Sequence, residues 1–263
     1  MAVPARWIPP TVLGGAWQMA IDGWLLEQGE AVLRLYRWNR PTLSLGFHQR
    51  HWPEHWGPLH QQGAIDLVRR PSGGRAVLHG GDLTYALVWP NPPQGRLEAY
   101  QAACRWLQHA FATMGQPLSL GREPVRGQRD ANCFATGTAA DLVHRNGGKR
   151  IGSAQVWRRG VLLQHGSIQL APPAKLWQQV FGQDPPRLAS LPLQGPELEA
   201  LLRSSAEAHL GPMASLHSRD LQPEELAAIA SRLEDQRPAA VSSVTSPEAI
   251  IERTTRSRPM PNG

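Results

Sequence analysis

The apolar residues Trp17, Ala20, Ile21, Trp24 and Leu25 recur at helical spacing between Gly15 and Glu27, which predicts an amphipathic helix. Two short apolar bursts follow, "AVLRLYRW" and "TLSLGF", and both read as strands. "AIDLVRR" reads as a further strand leading into "PSGGRAVLHGGDLTYALVW". That stretch suggests a glycine-rich loop and then a hairpin, whose arms "AVLH" and "LTYALVW" flank "GGD". From Leu97 to Met114 a second helix is expected, with Tyr100, Cys104, Leu107 and Phe111 on one stripe. Residues 131–170 return to strands and turns, in the order "DLVHR", "NGG", "RIGSAQVWR", "RG" and "VLLQHGSIQL". Helical patterns lie near Ala174–Phe181, Glu197–Ala208 and Pro223–Leu233. Beyond Arg237 the chain is rich in Ser, Thr and Pro without periodicity, as in a mobile tail. Helices set against a mixed sheet make an α+β plan, with the chemistry expected in the sheet's loops.

Composition bounds the function. The 263 residues can bury the core of one large domain, or of one domain plus a small appendage. No apolar run approaches the roughly 20 residues that span a bilayer, and "MAVPARWIPPTVLGG" lacks the apolar stretch of a secretion signal. A cytoplasmic protein without membrane attachment is therefore expected, and its 2 cysteines should be free thiols. The net charge of +6 is spread along the chain, and no zinc-finger spacing or RNA-binding motif accompanies it. A diffuse positive surface of this kind points to solubility or to attraction for an acidic protein partner, rather than to nucleic acid.

The two cysteines differ. Cys104 lies on its helix's apolar stripe and is expected to be a core residue. Cys133 sits in "RDANCFATGTAADL", outside any helical stripe, where it could begin a buried strand or serve as a nucleophile. Sixteen positions later stands Lys149, in "NGGKRIGSAQ". Of the 27 basic residues only Lys149 and Lys175 are lysine. An exposed turn would account for Lys149, but so would a narrow pocket that admits a compact ammonium and excludes a guanidinium. A water-shielded ammonium could also lower a thiol's pKa and raise its thiolate fraction.

"RRPSGGRAVLHGGDLTY" is the other dense stretch. Gly73 and Gly74 expose backbone N–H groups, flanked by Arg69, Arg70, Arg75, Ser72 and His79. Such a loop can hold a phosphate, a carboxylate or a polarised carbonyl, although a glycine pair can also be only a turn. It matches neither a Walker loop nor a dinucleotide fingerprint. "QHGSI" places His165 where a strand meets Gly166. A Ser-His-Asp hydrolase built on Ser72 or Ser167 is conceivable, but the GxSxG elbow is missing.

Together these stretches resemble the lipoate ligase and octanoyltransferase family. "RRPSGGRAVLHGGDLTY" is similar to its RRxSGGxAVxHxxxxLTY signature, and "GGKRIGSAQVWRRGVLLQHGSI" to its GrKvxGSAQxxxxgxxLxHGsi signature. "MAIDGWLLE" and "LSLGFHQR" match more loosely, and the likeness runs over residues 10–185. It implies a biotin/lipoate protein ligase-like catalytic domain over 1–190, with a mixed, largely antiparallel sheet flanked by helices. A helical extension over 191–236 and a tail over 237–263 would follow. Cys133–Phe134 resembles the cysteine–phenylalanine pair of the Gram-positive type of octanoyltransferase. By that resemblance Cys133 takes an octanoyl group from acyl carrier protein and passes it to a lysine of a lipoyl domain, in a 2-oxoacid dehydrogenase or the glycine cleavage H protein. Lys149 would hold the thiolate and polarise the acyl carbonyl. The substrate would be bound by Arg70, Ser72, Gly73, Gly74, Arg75, Ala76, Val77, His79, Gly152, Ser153, Ala154, His165 and Gly166. Val77, Leu78 and Ile151 are candidates for the acyl tunnel. A monomer needing neither metal nor cofactor is implied. The alternatives are an ATP- and Mg-dependent lipoate ligase and an amidotransferase acting between lipoyl-domain proteins.

Overall fold

A computed structural model describes residues 5–121 and 141–236. Cys133 and the expected tail over 237–263 lie outside the described residues. In chain order the elements are β1 (Ala5–Leu13), α1 (Gly15–Gln28), β2 (Val32–Trp38), β3 (Thr42–Leu45), α2 (Trp56–Gln61), β4 (Asp66–Arg69), β5 (Val77–His79) and β6 (Asp82–Pro90). Then come α3 (Arg96–Thr113), β7 (Ser119–Leu120), β8 (Leu142–Val143), β9 (Lys149–Arg158), β10 (Val161–Gln169), α4 (Ala174–Phe181), α5 (Gly195–His209), β11 (Leu216–Ser218) and α6 (Pro223–Ala230). No described helix is long and apolar enough to cross a membrane.

Eight strands form one sheet in the order β11-β1-β2-β6-β10-β9-β8-β7, and β4-β3-β5 form a second. The large sheet is parallel at β11-β1-β2 and antiparallel from β2 onward. Period-two alternation decides what each of its faces buries. Leu33, Leu35, Leu83, Tyr85 and Leu87 pack under α3 and α5, while Val32, Tyr36, Ala86 and Val88 pack under α1. The fold is the α+β arrangement with a mixed, mostly antiparallel sheet that the sequence leads one to expect.

The tertiary structure departs from the sequence reading in three places. "AVLH" and "LTYALVW" do not form a hairpin: β5 pairs with β3 in the small sheet, and β6 lies between β2 and β10 in the large one. Gly80 and Gly81, at φ 141° and 136°, carry the chain from one sheet to the other. A Cβ on Gly81 would stand 2.1 Å from the Ala171 carbonyl oxygen, so only glycine fits this crossing. Helix α1 is buried on most sides rather than along one stripe, because it packs on β10, β4 and α6 as well as β2. That burial takes in two polar residues, Gln18 and Asp22. Strand β1 has no signal of its own, since Pro9 and Pro10 interrupt it where its register with β2 shifts.

Residues 191–236 share one core with the residues before them. Leu198, Leu202, Ala206 and Leu210 pack with Trp106, Leu107 and Phe111, and β11 extends the large sheet beside β1. Ser205 Oγ donates to the Trp106 carbonyl at 2.7 Å. Arg6 meets Glu225 at the start of α6 in an ion pair of 2.7 Å.

Candidate active site

Between the two sheets lies a cavity of about 360 Å³, within the range of small-molecule sites. The glycine-rich loop supplies Arg70, Gly73, Gly74 and Arg75 to its wall; β5 supplies Val77 and His79; β9 and β10 supply Gly152, Ser153, Ala154, Gln155, His165, Gly166 and Ser167. Met19, Tyr36, Trp38, Ser44, Thr84, Tyr100 and Asp141 complete it. Motifs more than 70 residues apart meet here because β10 lies beside β6 and opposite β5. At Gly166 a Cβ would come within 2.5 Å of the Tyr85 ring and 2.7 Å of Ser153 Oγ, so the glycine lets these side chains approach the strand.

Two buried hydrogen-bonded relays tie the sheets together across the cavity. In the first, His165 Nδ1 is 2.8 Å from Asp22 Oδ2 and Nε2 is 2.5 Å from Ser72 Oγ. With Nδ1–H donating to Asp22, Nε2 is left to accept the Ser72 hydroxyl proton. Asp22 also accepts from Tyr36 Oη at 2.9 Å and Arg34 at 3.3 Å. Burial, reinforced by the Asp22 charge, lifts the Tyr36 pKa well above the usual phenol value. In the second relay, His79 Nε2 lies 2.8 Å from Ser44 Oγ, and Nδ1 lies 2.8 Å from Asp82 Oδ2. Trp38 stacks on His79 at a centroid distance of 4.0 Å and donates its Nε1–H to Thr84. Burial opposes ionisation of Asp82, but the His79 charge and hydrogen bonds from His79, Ser167 and the Gly80 N–H outweigh it. Its carboxyl therefore stays below the usual carboxylate range.

The geometry makes Ser72 a structural hydroxyl. It is completely buried and contributes nothing to the cavity wall, so its relay orients the loop rather than forming a hydrolase triad. Arg70 acts in the same sense: its guanidinium donates to the carbonyls of Ser44, Gly73 and Arg75 at 2.7–2.8 Å, holding the loop's curvature.

Lys149 opens β9 and is 4% exposed, so it is not a solvated turn residue. Its Nζ lies 2.9 Å from Asp141 Oδ2, and Asp141 itself lines the cavity. Behind the wall, Gln164 donates to Tyr85 Oη at 2.8 Å, and Tyr85 meets Ser153 Oγ at 2.8 Å. That chain fixes the Ser153 hydroxyl at the cavity.

Of the expected tunnel residues only Val77 reaches the cavity. Leu78 points to the opposite side of β5, into the small sheet's core, and Ile151 lies in the core under α3. Strand alternation is the reason: neighbours in sequence face opposite ways. Ala76 is buried in the same small-sheet core as Leu78. Sequence reading missed Asp22, Asp82 and Asp141; a carboxylate inside the apolar run of α1 was the available signal for the first. Among the described residues no group of three or more His, Cys, Asp and Glu side chains could hold a metal ion.

The profile of the lipoyl protein ligase A/B catalytic domain matches residues 15–187. The chain belongs to this family. Among similar proteins are octanoyltransferase LipM of Kyrpidia tusciae, 37% identical over 171 residues, and octanoyltransferase LipM of Carboxydothermus hydrogenoformans, 38% identical over 172. These alignments take in 59% and 62% of this chain and 62% and 64% of the relatives, so the chain spans about three fifths of the curated relatives it matches. The fold is shared with solved lipoate ligases. A lipoate-protein ligase A bound with ATP superposes with a TM-score of 0.71 at 17% identity, covering 88% of this chain and 95% of that one. A bipartite lipoate protein ligase of Thermoplasma acidophilum gives 0.67 at 17%, covering 88% and 92%.

Proposed function

We propose that this member of the lipoyl protein ligase A/B family is an octanoyltransferase, moving an octanoyl group from acyl carrier protein to a lysine of a lipoyl domain. The observation that carries the reading is the buried Lys149, ion-paired to a carboxylate that lines a mostly apolar cavity between the two signature motifs. The likeness to proteins named octanoyltransferase LipM supports it, and so does Cys133, only eight positions before Asp141 in the chain. In the first step the Cys133 thiolate adds to the donor thioester carbonyl, the carbon–sulfur bond to the carrier breaks, and the carrier's thiol leaves with a proton. In the second, the acceptor lysine's neutral amine adds to the Cys133 thioester. Cys133 departs as thiolate, and the nitrogen loses its proton as the amide forms. Lys149 supplies positive charge beside the thiolate and the developing oxyanion. A thioester is already activated, so the sequence of steps needs neither ATP nor metal.

Intact-mass measurement after mixing with octanoyl carrier protein tests this. A hydroxylamine-sensitive gain of about 126 Da, one octanoyl group held covalently, is expected on the wild type and should vanish in Cys133→Ser. Pyrophosphate release from ATP, with full activity in Cys133→Ser, would instead make the protein a lipoate ligase. Transfer from a lipoylated protein, with no adduct from octanoyl carrier protein, would make it an amidotransferase.

A further inference from the structure

A second depression, of about 430 Å³, continues from the cavity's mouth and shares Gly73, Tyr100 and Gln155 with it. Its ionisable lining is His48, Arg96 and Arg158, without a carboxylate. The neighbouring depression beside α1 shares Phe47, Pro71 and Arg158 with it but mixes its arginines with Glu27 and Asp235. Arg96 is exposed and joins no ion pair among the described residues. Arg158 meets Glu27 at 3.3 Å in an exposed pair, which holds it only weakly.

One wall of this groove is Gln155–Arg158 of β9. Beyond Ile151, β9 pairs with β10 on its inner side and with no strand on its outer side among the described residues. An extended ligand that carries amides can pair with alternate backbone N–H and C=O groups of such a strand. Phe47, 40% exposed, and Trp157, held by its Nε1–H donating to Gln155, give the groove apolar surfaces.

We propose that this groove holds the phosphopantetheine arm of the acyl donor, its amides along the β9 edge and its phosphate against Arg96 and Arg158. The assignment rests on the acyl-transfer reading and adds to it where the donor lies. The arm's chemistry matches the groove's lining. The thioester end belongs at the shared residues Gly73, Tyr100 and Gln155, two secondary amides meet the strand edge, a gem-dimethyl group meets aromatic surface, and a phosphate meets two arginines. Coenzyme A and carrier protein present the same arm.

Acyl-enzyme formation measured with octanoyl-pantetheine, octanoyl-phosphopantetheine, octanoyl-coenzyme A and octanoyl carrier protein tests the assignment. For the wild type, adding the phosphate to octanoyl-pantetheine should lower KM about tenfold, as expected of charge-assisted contacts. The double variant Arg96→Gln/Arg158→Gln should lose that advantage on every phosphorylated donor and keep wild-type rates with octanoyl-pantetheine. Equal KM values for the two pantetheines in the wild type would overturn the assignment while leaving acyl transfer intact. A defect confined to the carrier protein would also overturn it, making the arginines contacts for the carrier's surface. If no donor acylates the protein, both readings fall.

Discussion

Lys149 Nζ lies 2.9 Å from Asp141 Oδ2, with both side chains at most 3% exposed. A buried ammonium needs such a partner, and a partner at the cavity wall leaves the charge where an acyl carbonyl can feel it. Lys149→Arg keeps the charge but forces a broad planar fork into a site shaped for a point charge. Transfer should fall by about 100-fold or more, as for a misplaced catalytic group, in a folded protein with native circular dichroism. Asp141→Asn removes the ammonium's buried carboxylate partner and should cost about 3–5 kcal/mol of stability, read as a lower urea midpoint.

The Asp22–His165–Ser72 relay has a triad's connectivity without a triad's exposure. Ser72→Ala removes one neutral hydrogen bond and should destabilise by about 1–3 kcal/mol. The octanoyl adduct should still form on Cys133 with the same mass. Loss of that adduct at unchanged stability would make Ser72 a participant in the chemistry. Asp22→Asn is the harsher change, because Arg34 loses its buried counter-charge and His165 its carboxylate acceptor; about 3–5 kcal/mol is expected in urea unfolding.

Asp82 makes acid stability measurable. Its folded pKa is depressed, so its contribution is fully present above the unfolded carboxyl value of about 3.9 and is lost as pH falls through the lower folded value. Urea midpoints followed from pH 6 to pH 2 should decline most steeply below about pH 4. In Asp82→Asn the curve should start lower and flatten over that window.

Cys104 should be chemically silent. Burial pushes its thiol up to about 12, although Gln164 Nε2 donates to its sulfur at 3.5 Å. At pH 8 the folded protein therefore presents almost no Cys104 thiolate. In Cys133→Ser a maleimide should fail to label the native protein and should label one thiol after denaturation. Rapid native labelling of that variant would mean that α3 opens readily.

Much of the site is legible along the chain because its chemistry sits in contiguous motifs. The glycine pair, the arginines beside it, Lys149 and the His165–Gly166 step all occupy short stretches whose residue types are costly to place without a purpose. Helices α3, α4, α5 and α6 are also readable, since a 3.6-residue apolar repeat survives wherever one helix face is buried, whereas α1 shows its place but not its burial on most sides. Less visible were the short elements: two residues in β7 or three in β11 cannot show a period, and Pro58 obscures the single turn and a half of α2.

What the sequence by itself determined is the inventory: an α+β fold, two signature loops, one lysine kept where arginine is otherwise the rule, and one cysteine outside any stripe. Partnership was decided only in three dimensions. Asp22 and Asp82 sit far in sequence from His165 and Ser167, and they meet them because α1 packs on β10 and β6 pairs with β10. Asp141 and Lys149 are closer along the chain and meet where β8 pairs with β9. Alternation along β5 likewise sends Val77 and His79 inward and Leu78 away. Local pattern records which residue types a segment carries; strand pairing and sheet packing decide which of them touch.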